Sequence, residues 1–207
     1  MNQPSRRSPG RPRSRTTDIP TQHHILAVAT RLFVSEGFQK VSIDRIAEAS
    51  GVTKATVYYY FNNKVQLFLE AISQLMARVN NRIIAMLNDE APLKERLARI
   101  AEAHLTATAS FNFDMDGFLR ETKTFLTAEQ IQLMKDAEDN IHRTITAAFK
   151  EEVEKGALPP IPEVFAARAF MGLLKACNDP DQGKPIFSSH HETARRIVDF
   201  VWNGLEI

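Results

Sequence analysis

Between Ser42 and Phe61 the chain reads SIDRIAEASGVTKATVYYYF, and this stretch limits the possible folds more than any other. Ile43, Ile46 and Ala47 recur at helical spacing behind Ser42, a hydroxyl residue suited to an N-cap. Ser50-Gly51 ends that short helix, because glycine accepts the left-handed conformation in which helices stop. Thr53 caps a second short helix that carries Ala55, Thr56 and the only three tyrosines of the chain. Two short helices joined by a tight, glycine-containing turn form a helix-turn-helix.

The second helix poses a packing problem. Tyr58, Tyr59, Tyr60 and Phe61 are consecutive, and successive helical residues lie about 100° apart, so the run sweeps nearly a whole turn. These aromatics cannot all face a core. Val57 and Phe61, with Ile46, Ala47 and Val52, tie the helix pair to Phe33 and Phe38, and Tyr60 packs inward beside Phe61. Thr53, Lys54, Ala55, Thr56, Tyr58 and Tyr59 are left outward. Hydroxyls, one cation and one methyl suit base edges and thymine methyls in a major groove. Phenols also donate to phosphates, fixing register without reading sequence. Lys64, just beyond the Asn62-Asn63 break, adds a phosphate contact of the same kind.

This stretch resembles the tetracycline-repressor (TetR) family of bacterial regulators. The likeness runs from Gln22 to Leu69 and includes ATRLFVSEGFQKVSIDRIAEASGVTKATVYYYFNNKVQLF. It follows the family pattern A-x-x-L-F-x-x-x-G-F, then [ST]-x-x-x-I-A-x-x-[AS]-G-V-[ST], then T-[LV]-Y-x-[HY]-F-x-x-K-x-x-L. The resemblance implies an N-terminal three-helix DNA-binding domain, joined to a larger helical domain that dimerises and binds a small ligand. Carried over by position, Ser42 and Lys64 meet phosphates, Thr53, Lys54, Ala55 and Thr56 face bases, and Tyr58 and Tyr59 face the backbone and flanking base edges. Many members have Gly in place of Ala55 and His in place of Tyr59 or Tyr60, which leaves base preference open there.

Charge agrees with a polyanion-binding module. Residues 1–70 hold ten Lys/Arg against five Asp/Glu, and residues 71–207 hold sixteen against twenty. Residues 1–19 are rich in Arg, Ser, Pro and Thr and are expected to form a disordered basic arm. Within it, Ser8-Pro9-Gly10-Arg11-Pro12-Arg13 resembles the Gly-Arg-Pro core of AT-hook peptides. Arg11 and Arg13 are therefore candidate minor-groove contacts; the plainer reading is a basic tail giving non-specific affinity.

The rest of the chain reads as helices. A stripe of Ile25, Leu26, Ala29, Leu32 and Phe33 ends at Gly37. A long amphipathic helix after Lys64 carries Leu67, Phe68, Ala71, Leu75, Val79, Ile83 and Met86 on one face. Pro92 opens another helix as its first residue, and Thr127 with Gln130 forms a capping box for a helix reaching Lys155. Pro162 opens a further one, and Ser189 with Glu192 caps the last. The expected fold is all-α, with an arm at 1–19, a helix-turn-helix domain at 20–66 and a helical regulatory and dimerisation domain at 67–207. Val164, Phe165, Met171 and Leu174, with Ile197, Val198, Val201, Trp202 and Leu205, form the expected dimer contact.

Phe111, Phe113, Met115, Phe118 and Phe125 cluster in sequence, with His104, Arg120 and His142 as polar candidates. Aromatics with a few convergent polar groups suit a largely apolar ligand; for any single Phe, ordinary core is the simpler reading. Adjacent histidines at His23-His24 and His190-His191 splay on a helix and cannot share an ion, so no metal site and no cofactor are expected. No nucleophile triad, phosphate loop or metalloprotease pattern is present, so no enzyme is expected. The single cysteine, Cys177, rules out an intramolecular disulfide and suits a reducing bacterial cytoplasm, near the nucleoid. No apolar run approaches the roughly 20 residues of a membrane span. Two functions fit: a ligand-released repressor bound to a palindromic operator as a homodimer, or an architectural DNA-binding protein without a small-molecule switch.

Overall fold

The computed structural model describes residues 21–110, 122–177 and 184–205. The arm at 1–19, with Arg11 and Arg13, lies outside the described residues, as do Phe111, Phe113, Met115, Phe118 and Arg120. Eight α-helices and no strand occur among the described residues: α1 Thr21–Glu36, α2 Ile43–Ser50, α3 Lys54–Tyr60, α4 Lys64–Leu87, α5 Leu93–Ser110, α6 Ala128–Glu154, α7 Glu163–Ala176 and α8 His190–Leu205. The protein is all-α, a helix-turn-helix head followed by a helical body.

Local chemistry sets most helix ends. Ser42 Oγ accepts from Arg45 N at 3.1 Å, Thr53 Oγ1 from Thr56 N at 3.1 Å, and Asn63 Oδ1 from Gln66 N at 2.8 Å. Each satisfies an amide that the first helical turn leaves unpaired. Gly51 ends α2 at φ 65°, and its N–H reaches the carbonyls of Ala47 and Glu48. Thr127 and Gln130 form the reciprocal capping box of α6. Ser189 Oγ accepts from Glu192 N at 3.0 Å, while the Glu192 carboxylate accepts from the Ser188 hydroxyl and from Arg196. Pro92 precedes the helix rather than sitting at its first residue; its carbonyl takes the Arg96 amide at 3.1 Å. Proline, lacking a donor, serves equally well there.

The head packs round an aromatic trio. Phe33 and Phe68 meet edge to face at 5.2 Å, and Phe38 lies 4.9 Å from Phe68 and 6.0 Å from Phe33. Phe61, Val57, Ile46 and Leu67 are buried beside them. The long α4 then leaves the head and packs along α6. The expected domain boundary at 66/67 falls in the first turn of α4, so one rigid helix serves both parts. Along its body half Asn80 is buried and accepts from Thr144 Oγ1 at 2.8 Å, whereas Leu75, Val79 and Met86 are only partly covered.

At the far end, buried Arg96 of α5 donates to the Leu87 carbonyl that ends α4, and to Glu152 of α6 at 2.8 Å. This staple joins three helices. Beyond it α8 lies along α5 and against α7. That packing corrects the expected dimer contact. Leu174, Ile197, Val198, Val201 and Leu205 are buried within the protomer, because the apolar stripe of α8 is the surface that seats it on α5 and α7. The large apolar side chains that α7 and α8 leave exposed are Val164, Phe165 and Phe200.

Candidate nucleic-acid interface

The turn between α2 and α3 is fixed from both sides. The Val52 amide donates to the Ala47 carbonyl at 3.0 Å, wrapping the chain round Gly51, and Thr53 starts α3 directly afterwards. Val57 and Phe61 point into the head core. The rest of α3 follows from that anchoring. Tyr58 is 45% exposed and Tyr59 81% exposed, while Tyr60 packs partly against the core and meets the Tyr59 ring edge-on at 5.0 Å. Two phenols face outward and one faces inward, as the spacing of the run requires.

Ser42, Thr53, Lys54 and Ala55 are exposed, and Thr56 is half-buried. The hydroxyls of Thr53 and Thr56 lie 2.8 Å apart, which fixes both rotamers. The Lys54 ammonium sits 2.9 Å from Asp44 Oδ2. Hydrogen bonding to that carboxylate, assisted by its charge, holds Lys54 above the ordinary lysine range. Lys64 lies at the opposite edge of this surface. Its Nζ stands 4.3 Å from the centre of the Phe38 ring and donates to the Gln39 carbonyl at 3.4 Å. Eight sequence-predicted DNA-facing residues therefore belong to the helix-turn-helix and its α4 edge. Asp44 and Gln39 join them unforeseen; each partner is far along the sequence, and no local pattern marks the pairing.

Of the eight predicted ligand residues, His104, Phe125 and His142 lie among the described residues. Phe125 is half exposed and stands 5.6 Å from the Phe38 ring, against the head. With Gln39, Asn63, Lys64 and Val65 these two rings line an open cleft of about 450 Å³. His104 on α5 and His142 on α6 remain in the body. Burial pushes the His104 imidazole below its ordinary value, so it is neutral at pH 7. His142 Nδ1 is buried with no hydrogen-bond partner among the described residues. No group of His, Cys, Asp and Glu able to hold a metal ion occurs among the described residues.

This fold and surface define a helix-turn-helix DNA-binding protein. A family model, "Bacterial regulatory proteins, tetR family", matches residues 25–71. The uncharacterized HTH-type transcriptional regulator YhgD of Bacillus subtilis is 28% identical over 145 residues, 69% of this chain and 74% of that protein. The structure of the TetR family transcriptional regulator PfmR from Thermus thermophilus superposes with a TM-score of 0.65 at 27% identity, covering 88% of this chain and 99% of that one. AibR, solved in complex with isovaleryl coenzyme A and operator DNA, shares the fold with a TM-score of 0.64 at 22% identity, over 88% of this chain and 98% of AibR. Residues 25–71 thus carry the helix-turn-helix of the TetR family of bacterial regulatory proteins, and the chain as a whole is similar to a TetR family regulator in fold.

Proposed function

We propose that this protein is a repressor that binds a palindromic operator as a homodimer in the bacterial cytoplasm and leaves it when a small, largely apolar ligand enters the body. The observation that carries the reading is the α3 surface. Thr53, Lys54, Ala55 and Thr56 meet base edges, Tyr58 and Tyr59 meet backbone and flanking bases, and Ser42 and Lys64 meet phosphates. It acts by binding alone, and we assign it no reaction.

Two further features support the homodimer. Val164, Phe165 and Phe200 are exposed on α7 and α8. Gly172 and Gly204 lie on the same two helices, and a Cβ at either would meet nothing within 4 Å. Glycine inside a helix costs about 1 kcal/mol relative to alanine, and no described residue stands close enough to either one to require it. A second pair of helices approaching closely does. For the ligand, His142 Nδ1, without a partner among the described residues, and the neutral His104 supply polar contacts within the helical body. The acyl-coenzyme A bound by AibR is in keeping with an apolar tail on a polar group.

A selection of bound duplexes from a random pool tests the reading. It should return two inverted half-sites spaced near one helical turn, about 34–36 Å. Enrichment of no sequence would sink it. A duplex that is bound but released by no member of an acyl-coenzyme A series would remove the switch and leave an architectural binder.

A further inference from the structure

Lys54 opens α3, the end at which a helix disfavours a cation, because the dipole presents its positive pole there. Its charge is offset by Asp44 of α2, ten residues away, at 2.9 Å, with both side chains more than half exposed at 52% and 67%. An exposed pair of this kind adds little to folding. It also sets a carboxylate on the face that would approach phosphates, where it repels them. Asp44 also stands in the first turn of α2, where the helix dipole favours a carboxylate, but that role does not call for a lysine partner from α3.

We propose that Asp44 is a positioning residue for operator specificity, holding the Lys54 ammonium toward base edges and denying it to phosphates. The proposal rests on the reading of α3 as the groove-facing helix. A free lysine is a point charge on a flexible stem, satisfied by any phosphate within reach. Such contacts give affinity without sequence. With Asp44 present, a phosphate at the ammonium lies beside a second anion and is repelled by it. An acceptor on a base edge, such as guanine O6 or N7, can be met while the pair persists, because an ammonium has three donors. The penalty therefore falls on DNA that lacks the acceptor. The Thr53–Thr56 hydroxyl pair holds the neighbouring surface still while this choice is made.

The experiment compares Asp44→Asn, Lys54→Gln and the double variant, each with an unchanged unfolding temperature. The probes are the duplex that the unaltered protein enriches from a random pool and the same bases in scrambled order, across a range of salt. Asp44→Asn should strengthen binding to the scrambled duplex on the order of fivefold and steepen its salt slope by about one. Binding to the enriched duplex should change by less than about twofold, so the specificity ratio falls. In the Lys54→Gln background, Asp44→Asn should leave the ratio alone. An unchanged ratio in Asp44→Asn overturns the proposal. So does an equal fall without Lys54, which would reduce Asp44 to a plain repulsive charge. If Lys54→Gln weakens the enriched duplex while Asp44→Asn does nothing, the reading of α3 stands and only the proposal falls. If Lys54→Gln changes neither duplex, both fall together.

Discussion

Among the described residues, the most exposed aromatic rings stand on two surfaces, and their chemistry differs. On the head, Tyr59 is 81% exposed and Tyr58 stands beside it, among threonine hydroxyls and a lysine. On the body, Phe165 is 65% and Phe200 72% exposed, on helices that also carry Gly172 and Gly204. A phenol keeps its hydroxyl hydrated when free and can pass that hydrogen bond to a polar partner. A phenyl ring gains only by leaving water. On the function proposed above, the first surface suits a wet, charged partner such as nucleic acid, and the second a dry one, a copy of itself. One chain thus displays two aromatic surfaces that differ by the presence or absence of a single oxygen per ring.

The largest effect expected from breaking this contrast comes from the body. Phe165→Glu with Phe200→Glu should leave the protomer folded, since both rings lie outside the core, yet abolish self-association. Loss of the second head removes the avidity of paired half-sites, so operator affinity should fall about 100-fold or more. Gel filtration with a binding titration checks both. Retained operator affinity in a monomeric double variant would separate DNA binding from pairing.

Smaller and more selective changes come from the head. Thr56→Ala should alter base preference at the matching position, by roughly 1–3 kcal/mol of discrimination, and a repeated pool selection would reveal it. Tyr59→Phe deletes one exposed oxygen and should weaken all duplexes about fivefold without changing preference. The reciprocal change, Phe200→Tyr, should weaken the dimer and leave preference untouched. Equal insensitivity of both rings would undo the contrast between the surfaces.

The head was more legible in the sequence than the body, for a physical reason. Ser42, Gly51, Thr53 and Asn63 act on amides and carbonyls within a few residues, so their roles follow from spacing. The tyrosine run resolved for the same reason: a helical turn decides which ring faces out. The pairings that escaped are distant ones. Lys54 meets Asp44 on another helix, and Asn80 meets Thr144 across the body. The stripe of Ile197, Val198, Val201 and Leu205 correctly marked a buried face, but periodicity cannot say which surface buries it. It was the protomer's own α5 and α7. Phe125, placed by sequence with a ligand group, meets Phe38 of the head, a distant contact that spacing does not reveal. The segment that would decide the ligand group lies outside the described residues.

The smallest effect concerns acid. Burial lowers the folded pKa of His104 below its ordinary value of 6.5. The unfolded chain therefore binds the proton first as pH falls, and stability present above pH 6.5 is lost from there down toward the folded value. His104→Gln should flatten that part of a urea-unfolding series between pH 7 and 5, with little change at pH 8. A slope unaltered by the substitution would assign the acid loss to other groups.

The central claim is that the hydroxyl-bearing ring surface meets DNA and the bare one meets a second protomer. Sedimentation equilibrium at micromolar concentration, with and without the enriched duplex, tests it most directly when the unaltered protein is run beside Phe200→Glu. The account predicts a dimer for the unaltered protein without DNA, two protomers on one duplex with it, and a folded monomer for the variant. A monomeric unaltered protein, or a variant that still pairs, would contradict it.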